Sequence, residues 1–308
     1  MVTNGIDRIK VSVYDMDESV AFFRDTLEMT VVSDVSLAAE PFQRLWELPA
    51  GTTARSVCLG NGEQSTLVEL VAVSPNSGRY IRDGARTYDY GLLDIAFRAK
   101  DLAGIYEDLR QRGHTFVSAP VVYTADWAKV TVVEVIVIGP NKMPVALIER
   151  LSEPKPVIRG RFGTMVDVAQ YVPSMESCAP FYTDLLGYTS VFDADLPPGL
   201  IDEVVALPPG STSRLNLMYQ PHTKTPAVEL IASSAPGTSL APVVHPANLG
   251  LFAMVFETAD LGELLRRVGD AGFAVVAGPV EYDAPVHGRV VAATVRGPND
   301  VWLEFFSR

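Results

Sequence analysis

Apolar and polar residues alternate in short runs along much of the chain, and stretches with helical spacing interrupt these runs. Residues 9–13 alternate with a period of two, which is typical of a half-buried β-strand. A helix is expected next, because Asp15 is a good N-cap residue and Val20, Phe23 and Leu27 then fall on one helical face. Short β-rich runs broken by Gly and Pro follow. The pattern therefore predicts one strand, one helix and then three strands.

The same order of elements returns along the chain. Residues 94–97 have the pattern of another strand, Asp101 is placed to cap a helix, and Gly113 suits the end of that helix. Asp260 and Gly272 bound a helix of the same design near the C-terminus. The last run of each unit carries a glutamate: Glu69, Glu149, Glu229 and Glu304. Four βαβββ units therefore predict an α+β fold.

The two halves of the chain are related by an internal repeat. Five segments recur at offsets of 158 to 160 residues, and chance does not hold one offset over five segments. The matched segments are 14–23 with 173–182, 48–55 with 207–214, 68–70 with 228–230, Pro120 and Tyr123 with Pro279 and Tyr282, and 139–141 with 297–299.

The repeat predicts two domains of similar size. We assign residues 1–151 to the N-terminal domain and residues 160–308 to the C-terminal domain. Residues 152–159, which include Pro154 and Pro156, are the predicted linker.

Composition excludes several classes of protein. The chain has 37 Asp and Glu against 25 Lys and Arg, and without a basic cluster no nucleic-acid partner is expected. No run approaches the roughly 20 apolar residues of a membrane span, and residues 1–10 lack a signal-peptide core, so no membrane partner is expected. Cys58 and Cys178 are expected to be buried free thiols. These observations predict a cytoplasmic protein.

Sequence motifs for common enzyme chemistries are absent. The chain contains no GxGxxG, no GxxxxGK[ST], no CxxC, no HExxH and no GxSxG. Hydride transfer, phosphoryl transfer and serine hydrolysis therefore lack their usual support.

The order of elements, the repeat and the motif V-x-D-M-x-x-S-x-x-F-[FY] at residues 13–23 together resemble one known group of proteins. This is the vicinal oxygen chelate superfamily, which includes glyoxalase I, extradiol dioxygenases, methylmalonyl-CoA epimerase, and the fosfomycin and bleomycin resistance proteins. The resemblance covers nearly the whole chain. It implies two tandem glyoxalase-like domains, in which paired βαβββ units form cups from curved mixed sheets.

The resemblance also implies which residues line the cups, since ligands in this family come from the first and last strands of each unit. Carried over to this chain, the N-terminal cup would hold Arg8, Glu69, Asp94 and Glu149, and the C-terminal cup Asp167, Glu229, Ala253 and Glu304. Strand alternation adds neighbours on the same faces: Lys10 and Ser12 beside Arg8, Arg98 beside Asp94, Tyr171 beside Asp167, and Trp302 and Phe306 beside Glu304.

None of the eight positions is a histidine. The oxygen-activating relatives need two His and one carboxylate, so the donor set disfavours an extradiol dioxygenase or a glyoxalase-type zinc or nickel site. The four histidines are His114, His222, His245 and His287, and they are expected in loops or at helix ends. His245 and His287 could still reach a cup rim and form a site with Glu304.

Carboxylates leave several functions open. Arg8 with Glu69, Asp94 and Glu149 could be a closed ionic network that replaces a metal, or a site for an anionic or oxygen-rich ligand. Asp167, Glu229 and Glu304 could form structural hydrogen bonds, act on a ligand, or bind a hard ion such as Mg²⁺, Mn²⁺ or Ca²⁺.

The leading hypothesis is a protein that binds a small organic molecule in the C-terminal cup without a cofactor, and that either sequesters it or carries out isomerase-, epimerase- or lyase-type proton transfer. Asp167 or Glu304 would be the acid/base and Glu229 its partner. Tyr171, Trp302, Phe306, Arg8, Asp94, Glu69 and Glu149 are candidate ligand contacts. The alternatives are a carboxylate-ligated metal enzyme and a non-catalytic binding or drug-sequestering protein. A homodimer is possible, although two fused halves already supply paired units.

Overall fold

The computed structural model describes residues 2–126, 128–221 and 223–308. The expectation for His222 therefore lies outside the described residues. Cys58 and Cys178 are buried free thiols, as expected. No helix in the described ranges has both the length and the apolar character that a membrane crossing requires.

The four predicted units are present, and we number them modules 1 to 4 in chain order. Module 1 has β1 (Thr3–Ser12), α1 (Met16–Ala21), β2 (Thr30–Ser36), α2 (Ala39–Leu45), β3 (Thr53–Gly60) and β4 (Leu67–Ser74). Module 2 has β5 (Gly91–Ala99), α3 (Leu102–Gln111), β6 (Thr115–Phe116), β7 (Val121–Ala125), β8 (Val130–Ile138) and β9 (Pro144–Arg150). Module 3 has β10 (Phe162–Tyr171), α4 (Met175–Pro180), β11 (Thr189–Asp195), β12 (Ser213–Tyr219) and β13 (Ala227–Ser233). Module 4 has β14 (Gly250–Thr258), α5 (Leu261–Asp270), β15 (Ala274–Ala284), β16 (Gly288–Arg296) and β17 (Trp302–Ser307).

The first helix of each module begins at the residue that the sequence indicated. The side chains of Asp15, Asp101, Ser174 and Asp260 each accept a hydrogen bond from the backbone N–H three residues later. Such a cap satisfies one of the free donors at a helix start. It therefore fixes where each first strand ends and its helix begins.

Within the described ranges the strands form two sheets, and each sheet combines modules from both halves of the chain. One has the order β15-β16-β17-β14-β1-β4-β3-β2, so module 4 joins module 1 through the antiparallel pair β14–β1. The other has the order β11-β12-β13-β10-β5-β9-β8-β6, with β7 beside β8, so module 3 joins module 2 through β10–β5. The α+β fold with two tandem glyoxalase-like units and mixed sheets is confirmed.

The predicted composition of the cups is wrong, because it assumed that the two modules of one half share a sheet. The segments that connect the modules within each half run side by side instead. Tyr80 bridges to Leu249, and Tyr90 bridges to Ser239. The internal repeat shows which modules are alike. It does not show that first strands pair between the two halves, because that pairing joins residues that are far apart in the sequence.

The two faces of each sheet belong to different apolar cores. The helices pack on one face, where their side chains join the largest core, which includes Met254 and Phe256. Val255 lies between these two residues and belongs to a second core, on the opposite face of the module 1/module 4 sheet. A third core lines the corresponding face of the module 2/module 3 sheet. We call these two hollow faces the 1/4 cleft and the 2/3 cleft.

Candidate functional site

The 1/4 cleft is closed by an ionic network between its first and last strands. Arg8 Nε lies 2.9 Å from Glu69 Oε2, and Lys10 Nζ lies 3.0 Å from Glu69 Oε1. Lys10 Nζ also lies 3.2 Å from Glu304 Oε2. The exposed fraction of all four side chains is 1% or less. Two buried cations thus pair with two buried carboxylates, and Arg8 also pairs with the half-buried Asp7 at the edge of the network.

Further hydrogen bonds complete this network. Ser56 Oγ donates to Glu69 Oε1 at 3.0 Å, and the Tyr282 hydroxyl donates to Glu304. Burial opposes ionisation of Glu69, but the charges of Lys10 and Arg8 outweigh it and hold the pKa of this carboxyl below its ordinary value. Burial likewise opposes the charge of Lys10, and the two glutamates nevertheless raise its pKa. Glu69 and Lys10 are therefore ionised around neutral pH.

Aromatic side chains fill the space around the ions. The Arg8 guanidinium lies 5.3 Å from the centre of the Phe306 ring, and the Lys10 ammonium lies 5.4 Å from that of Trp46. Trp302 Nε1 donates to the Val244 carbonyl at 2.8 Å. Trp302 and Phe306 are therefore packed core of the 1/4 cleft, and the expectation that they share a cup with Asp167 is wrong.

The 2/3 cleft, in contrast, contains a cavity of about 300 Å³. Four carboxyl groups line it: Asp94 on β5, Glu134 on β8, Asp167 on β10 and Glu229 on β13. Its remaining wall is largely apolar and includes Ala96, Ile136, Ala146, Ile148, Ala169, Leu215 and Ile231 from the sheet, with Ile201, Val204 and Val205 from the segment after β11. The cavity thus joins carboxyl groups from both halves of the chain in apolar surroundings.

Three of these carboxyl groups are unpartnered within the described part of the chain. Glu134 accepts a hydrogen bond from the Tyr123 hydroxyl at 2.5 Å. The side chains of Asp94, Asp167 and Glu229 form no hydrogen bond or ion pair with any described residue, although Asp94 is only 3% and Asp167 only 5% exposed. Buried charges are normally paired, so this arrangement calls for a proton or a ligand.

Burial raises the pKa of these carboxyl groups toward neutral pH. It raises the pKa of Asp167 to about 7, helped by the charge of Glu134 and opposed by Arg98. It also raises the pKa of Glu134 to about 7. Burial raises the pKa of Glu229 well above its ordinary value, and the charges of Asp167, Glu134 and Asp94 add to this effect. The cleft therefore holds exchangeable protons around neutral pH.

Tyr171 lies beneath these carboxyl groups. It belongs to the same β10 face as Asp167, is fully buried, and its hydroxyl has no partner among the described residues. Burial raises its pKa, and the charges of Glu229 and Asp94 raise it further, as expected for near neighbours. Tyr171 and Asp167 thus share a face of β10, but Tyr171 is not among the residues that line the cavity.

Glu149 does not belong to a cup. Its Oε2 accepts a hydrogen bond from the backbone N–H of Leu102 at 2.7 Å, at the start of α3, whereas its neighbour Ile148 faces the cavity. The register explains the error, since Ala146 pairs with Ala96 as Glu304 pairs with Val255. The position equivalent to Glu304 is therefore Ala146, three residues before Glu149.

Sequence reasoning missed Glu134 and Tyr123. Glu134 is the one charged residue in the strand Val130–Ile138, and it lines the cavity together with Val132 and Ile136. A lone carboxyl in an otherwise apolar strand was the available signal, because a buried acid requires a special environment.

The histidines do not build a site with Glu304. His287 Nε2 lies 3.0 Å from Asp7 Oδ1, and His245 Nδ1 accepts a hydrogen bond from the Ala247 N–H at 3.2 Å. Across the described residues, no three His, Cys, Asp or Glu side chains lie close enough to hold a metal ion.

Comparison with known proteins identifies the family. The model of the Glyoxalase/Bleomycin resistance protein/Dioxygenase superfamily matches residues 5–130 and again residues 164–305. The chain belongs to this superfamily. Glyoxalase I from Zea mays is 15% identical over 98% of this chain and 92% of its own, with a TM-score of 0.65. A putative dioxygenase from Bacillus subtilis is 12% identical over 99% of this chain and 86% of its own, with a TM-score of 0.60. No protein with a curated description matches the chain.

Members of the glyoxalase superfamily usually bind divalent metals, but the two clefts do not fit one. In the 1/4 cleft, the Lys10 ammonium lies between Glu69 and Glu304, so a second cation there would meet an already balanced charge. In the 2/3 cleft the donors are carboxyl groups alone, and among the described residues they do not converge on one point.

Proposed function

We propose that this superfamily member binds a small organic molecule in the 2/3 cleft, and that Asp167 and Glu229 transfer protons to and from it without a metal. One observation carries the proposal: two unpartnered carboxyl groups face an apolar cavity of about 300 Å³. Glu304, the other predicted acid/base, is set aside because it is paired with Lys10 in the 1/4 cleft.

The two carboxyl groups suit complementary roles. Asp167, with a pKa of about 7, is a carboxylate in a large share of molecules at neutral pH and can accept a proton from a carbon of the ligand. Burial and the charges of Asp167, Glu134 and Asp94 raise the pKa of Glu229 well above its ordinary value, so its protonated form can donate a proton to the atom on which negative charge develops. Such a pair performs isomerisation, epimerisation or lyase-type cleavage by moving protons alone.

The other groups that line the cavity support the roles of Asp167 as proton acceptor and Glu229 as proton donor. The apolar wall limits access of water, which keeps the carboxylate of Asp167 weakly solvated and therefore basic. Asp94 is buried beside the pair, and its own pKa is raised well above the ordinary value by burial and by the charges of Asp167 and Glu134. In its neutral form Asp94 can donate a hydrogen bond to the ligand.

A base-sensitive probe tests the proposal without knowledge of the natural ligand. 5-Nitrobenzisoxazole is a small, neutral aromatic compound that opens to a coloured nitrophenolate when a base removes its C–H proton. We expect saturable ring opening with a rate that rises with pH and has a midpoint near 7, the pKa of Asp167. Asp167→Asn should lower kcat by about 100-fold, the usual contribution of a positioned general base.

Glu149→Gln is the matched control, because Glu149 lies outside the cleft and Gln still accepts the bond from Leu102. It should keep the rate of the unmodified protein. An unchanged rate in Asp167→Asn, or a rate that does not saturate, would contradict proton transfer by Asp167. Binding is measured separately, by ¹H–¹⁵N chemical-shift changes of cleft residues on addition of 2-naphthol; their absence would contradict a ligand site in the 2/3 cleft.

A lyase or isomerase that uses Mg²⁺, Mn²⁺ or Ca²⁺ stays the alternative, although the four carboxyl groups of the cleft do not converge on one point as they stand among the described residues. It requires the side chains to move together around the ion. A rise in Tm with one of these ions that disappears in Glu229→Gln would support this candidate and contradict the metal-free proposal. The non-catalytic binding role, the cytoplasmic location and the homodimer stay predictions.

A further inference from the structure

Resting on the proposed function, we infer that the ligand of the 2/3 cleft is an organic cation: an ammonium group on a small apolar body, with the ammonium beside Glu229. The inference deepens the proposed function by naming the chemical class of the ligand. It stands on the charges that line the cavity, on a comparison with the 1/4 cleft, and on the size and polarity of the wall.

The cavity lacks a positive charge beside Glu229 among the described residues. Of the lining residues, Arg98 and Arg150 are cationic. Arg150 is held by the carbonyl groups of Ser152 and Glu153. Arg98 forms no ion pair with a described residue and acts electrostatically on Asp167. Neither arginine neutralises Glu229.

Each carboxyl group has a different set of charged neighbours. The charge of Arg98 opposes the rise in the pKa of Asp167. The half-buried Arg82, whose guanidinium donates to the Leu92 carbonyl, likewise opposes the rise in the pKa of Asp94. Glu229 faces Asp167, Glu134 and Asp94, and no arginine lowers its proton affinity. A cation in the cavity is therefore stabilised most when it lies beside Glu229.

The 1/4 cleft provides the internal reference for that position. In that cleft Lys10 pairs in register with Glu69, and its ammonium contacts that carboxylate at 3.0 Å. In the 2/3 cleft the equivalent register partner of Glu229 is Ala169. The change from Lys to Ala removes the ammonium, keeps the glutamate and leaves a space in which a ligand ammonium can occupy the place of the Lys10 Nζ.

The rest of the cavity suits an apolar body. The wall opposite the carboxyl groups consists of aliphatic side chains, including Ile201, Val204 and Val205. A volume of about 300 Å³ lies at the lower end of the range for small-molecule pockets. The body is therefore limited to about one ring with a short side chain.

Charge pairing also predicts a change in protonation on binding. An ammonium next to Glu229 favours its carboxylate, so binding at neutral pH should release about one proton, and in that complex the neutral Asp94 beside it takes over from Glu229 as the proton donor. The groups that face this site are Asp94, Arg98, Glu134, Arg150, Asp167, Tyr123, Tyr171 and Tyr219, with Arg82 and Asp202 behind them. Tyrosine and arginine side chains do not ordinarily titrate between pH 6 and 8, so the carboxyl groups are the source of the proton.

The test compares three probes of one shape: 2-phenylethylammonium, neutral 2-phenylethanol and anionic 3-phenylpropanoate. Calorimetric titrations of the full chain at pH 7, in two buffers with different ionisation enthalpies, give affinity and proton release together. We expect the ammonium to bind about tenfold or more tightly than the alcohol, with release of about one proton, and the anion to bind most weakly. Equal or tighter binding of the alcohol or the anion overturns the inference.

Two variants locate the effect. Ala169→Lys copies the 1/4 cleft and should abolish binding of the ammonium probe, because the new side chain supplies the missing charge. Glu229→Gln should reduce the ratio of ammonium to alcohol affinity to about one, since the partner of the cation is lost. Glu149→Gln should keep the ratio of the unmodified protein. If both cleft variants keep the preference for ammonium, the assigned position beside Glu229 is wrong.

The outcomes also separate this inference from the proposed function. Turnover of 5-nitrobenzisoxazole that depends on Asp167, together with a preference for the alcohol probe, would overturn the cationic ligand and leave proton transfer intact. A preference for ammonium without turnover of the isoxazole would contradict the catalytic proposal and support the cationic ligand.

Discussion

The two clefts of this protein are built on equivalent strands, yet one is filled and balanced while the other is open and acidic. In the 1/4 cleft the first strand supplies Arg8 and Lys10, which pair with Glu69. In the 2/3 cleft the first strand supplies Asp167 and Ala169 next to Glu229. The glutamate is kept and its cations are lost. The comparison teaches that a change of two residues on one strand removes the ion pairs of the glutamate and leaves its carboxyl group without a partner among the described residues.

The 2/3 cleft has smaller side chains than the 1/4 cleft, as well as fewer positive charges. The repeat aligns residues 48–55 with 207–214, so Trp46 of the 1/4 cleft corresponds to Val205, which lines the cavity. By strand register, Ile148 of β9 occupies the position that is equivalent to Phe306 of β17. Trp46 and its neighbour Trp302 have ring centres 5.5 Å apart and occupy the 1/4 cleft. Smaller residues at the equivalent positions account for the open cavity.

The largest expected difference concerns the loss of one charge from each cleft. Lys10→Met leaves Glu69 and Glu304 buried with Arg8 alone, and removal of one partner from a buried ion pair costs about 3–5 kcal/mol. Asp167→Asn removes an unpartnered carboxyl and should leave the free energy of unfolding unchanged or higher. Urea denaturation at pH 7 measures both. A loss below about 1 kcal/mol in Lys10→Met would show that the network does not stabilise the fold.

A second prediction concerns packing. Trp46→Val should destabilise the protein by about 3 kcal/mol, because it removes a buried aromatic side chain and leaves a void beside Phe252 and Trp302. Val205→Trp should fill the 2/3 cavity, keep the protein folded and abolish the chemical-shift response to 2-naphthol. Denaturation curves and ¹H–¹⁵N spectra of both variants check this pair. Retained binding of 2-naphthol in Val205→Trp would mean that the probe occupies another site.

The sequence predicted the modules and three of the acids that line the cavity, Asp94, Asp167 and Glu229, but not Glu134 and not the sheets that bring them together. Caps such as Asp15 and Asp260 are local signals, so helix starts were predictable. Asp94 and Asp167 were assigned to different cups, yet they line one cavity because β5 and β10 are neighbours. That pairing connects distant segments, and no local pattern encodes it.

The role of the last strand was harder to predict for a different reason. A shift of register by an odd number of residues moves a side chain to the other face of a sheet. Glu149 lies three residues beyond the equivalent of Glu304, so it faces α3, and the cavity acquires its carboxyl from Glu134 on β8. The correct alignment needs the strand registers, which the spacing of glutamates did not reveal.

The smallest expected difference is in the dependence of stability on pH. In the 2/3 cleft the folded state raises the pKa of Asp167 from its ordinary value of 3.8 to about 7, so the folded protein binds more protons than the unfolded chain between these values. Stability is therefore lost as the pH rises through this window. In the 1/4 cleft, stability from Glu69 is lost only in acid, below the ordinary pKa of 4.5, and stability from Lys10 only in base, above 10.5.

Between pH 5 and 8 the free energy of unfolding thus changes through Asp167 of the 2/3 cleft and not through Glu69 or Lys10 of the 1/4 cleft. His114 and His245 act in the opposite direction, because burial lowers their pKa and the folded protein disfavours their charged forms. The difference between the unmodified protein and Asp167→Asn removes their contribution. Since one pKa unit corresponds to about 1.4 kcal/mol, we expect the variant to gain on the order of 2 kcal/mol relative to the unmodified protein between pH 5 and 8. Parallel stability curves across this range would mean that Asp167 is already charge-compensated, and the open cleft would then resemble the filled one.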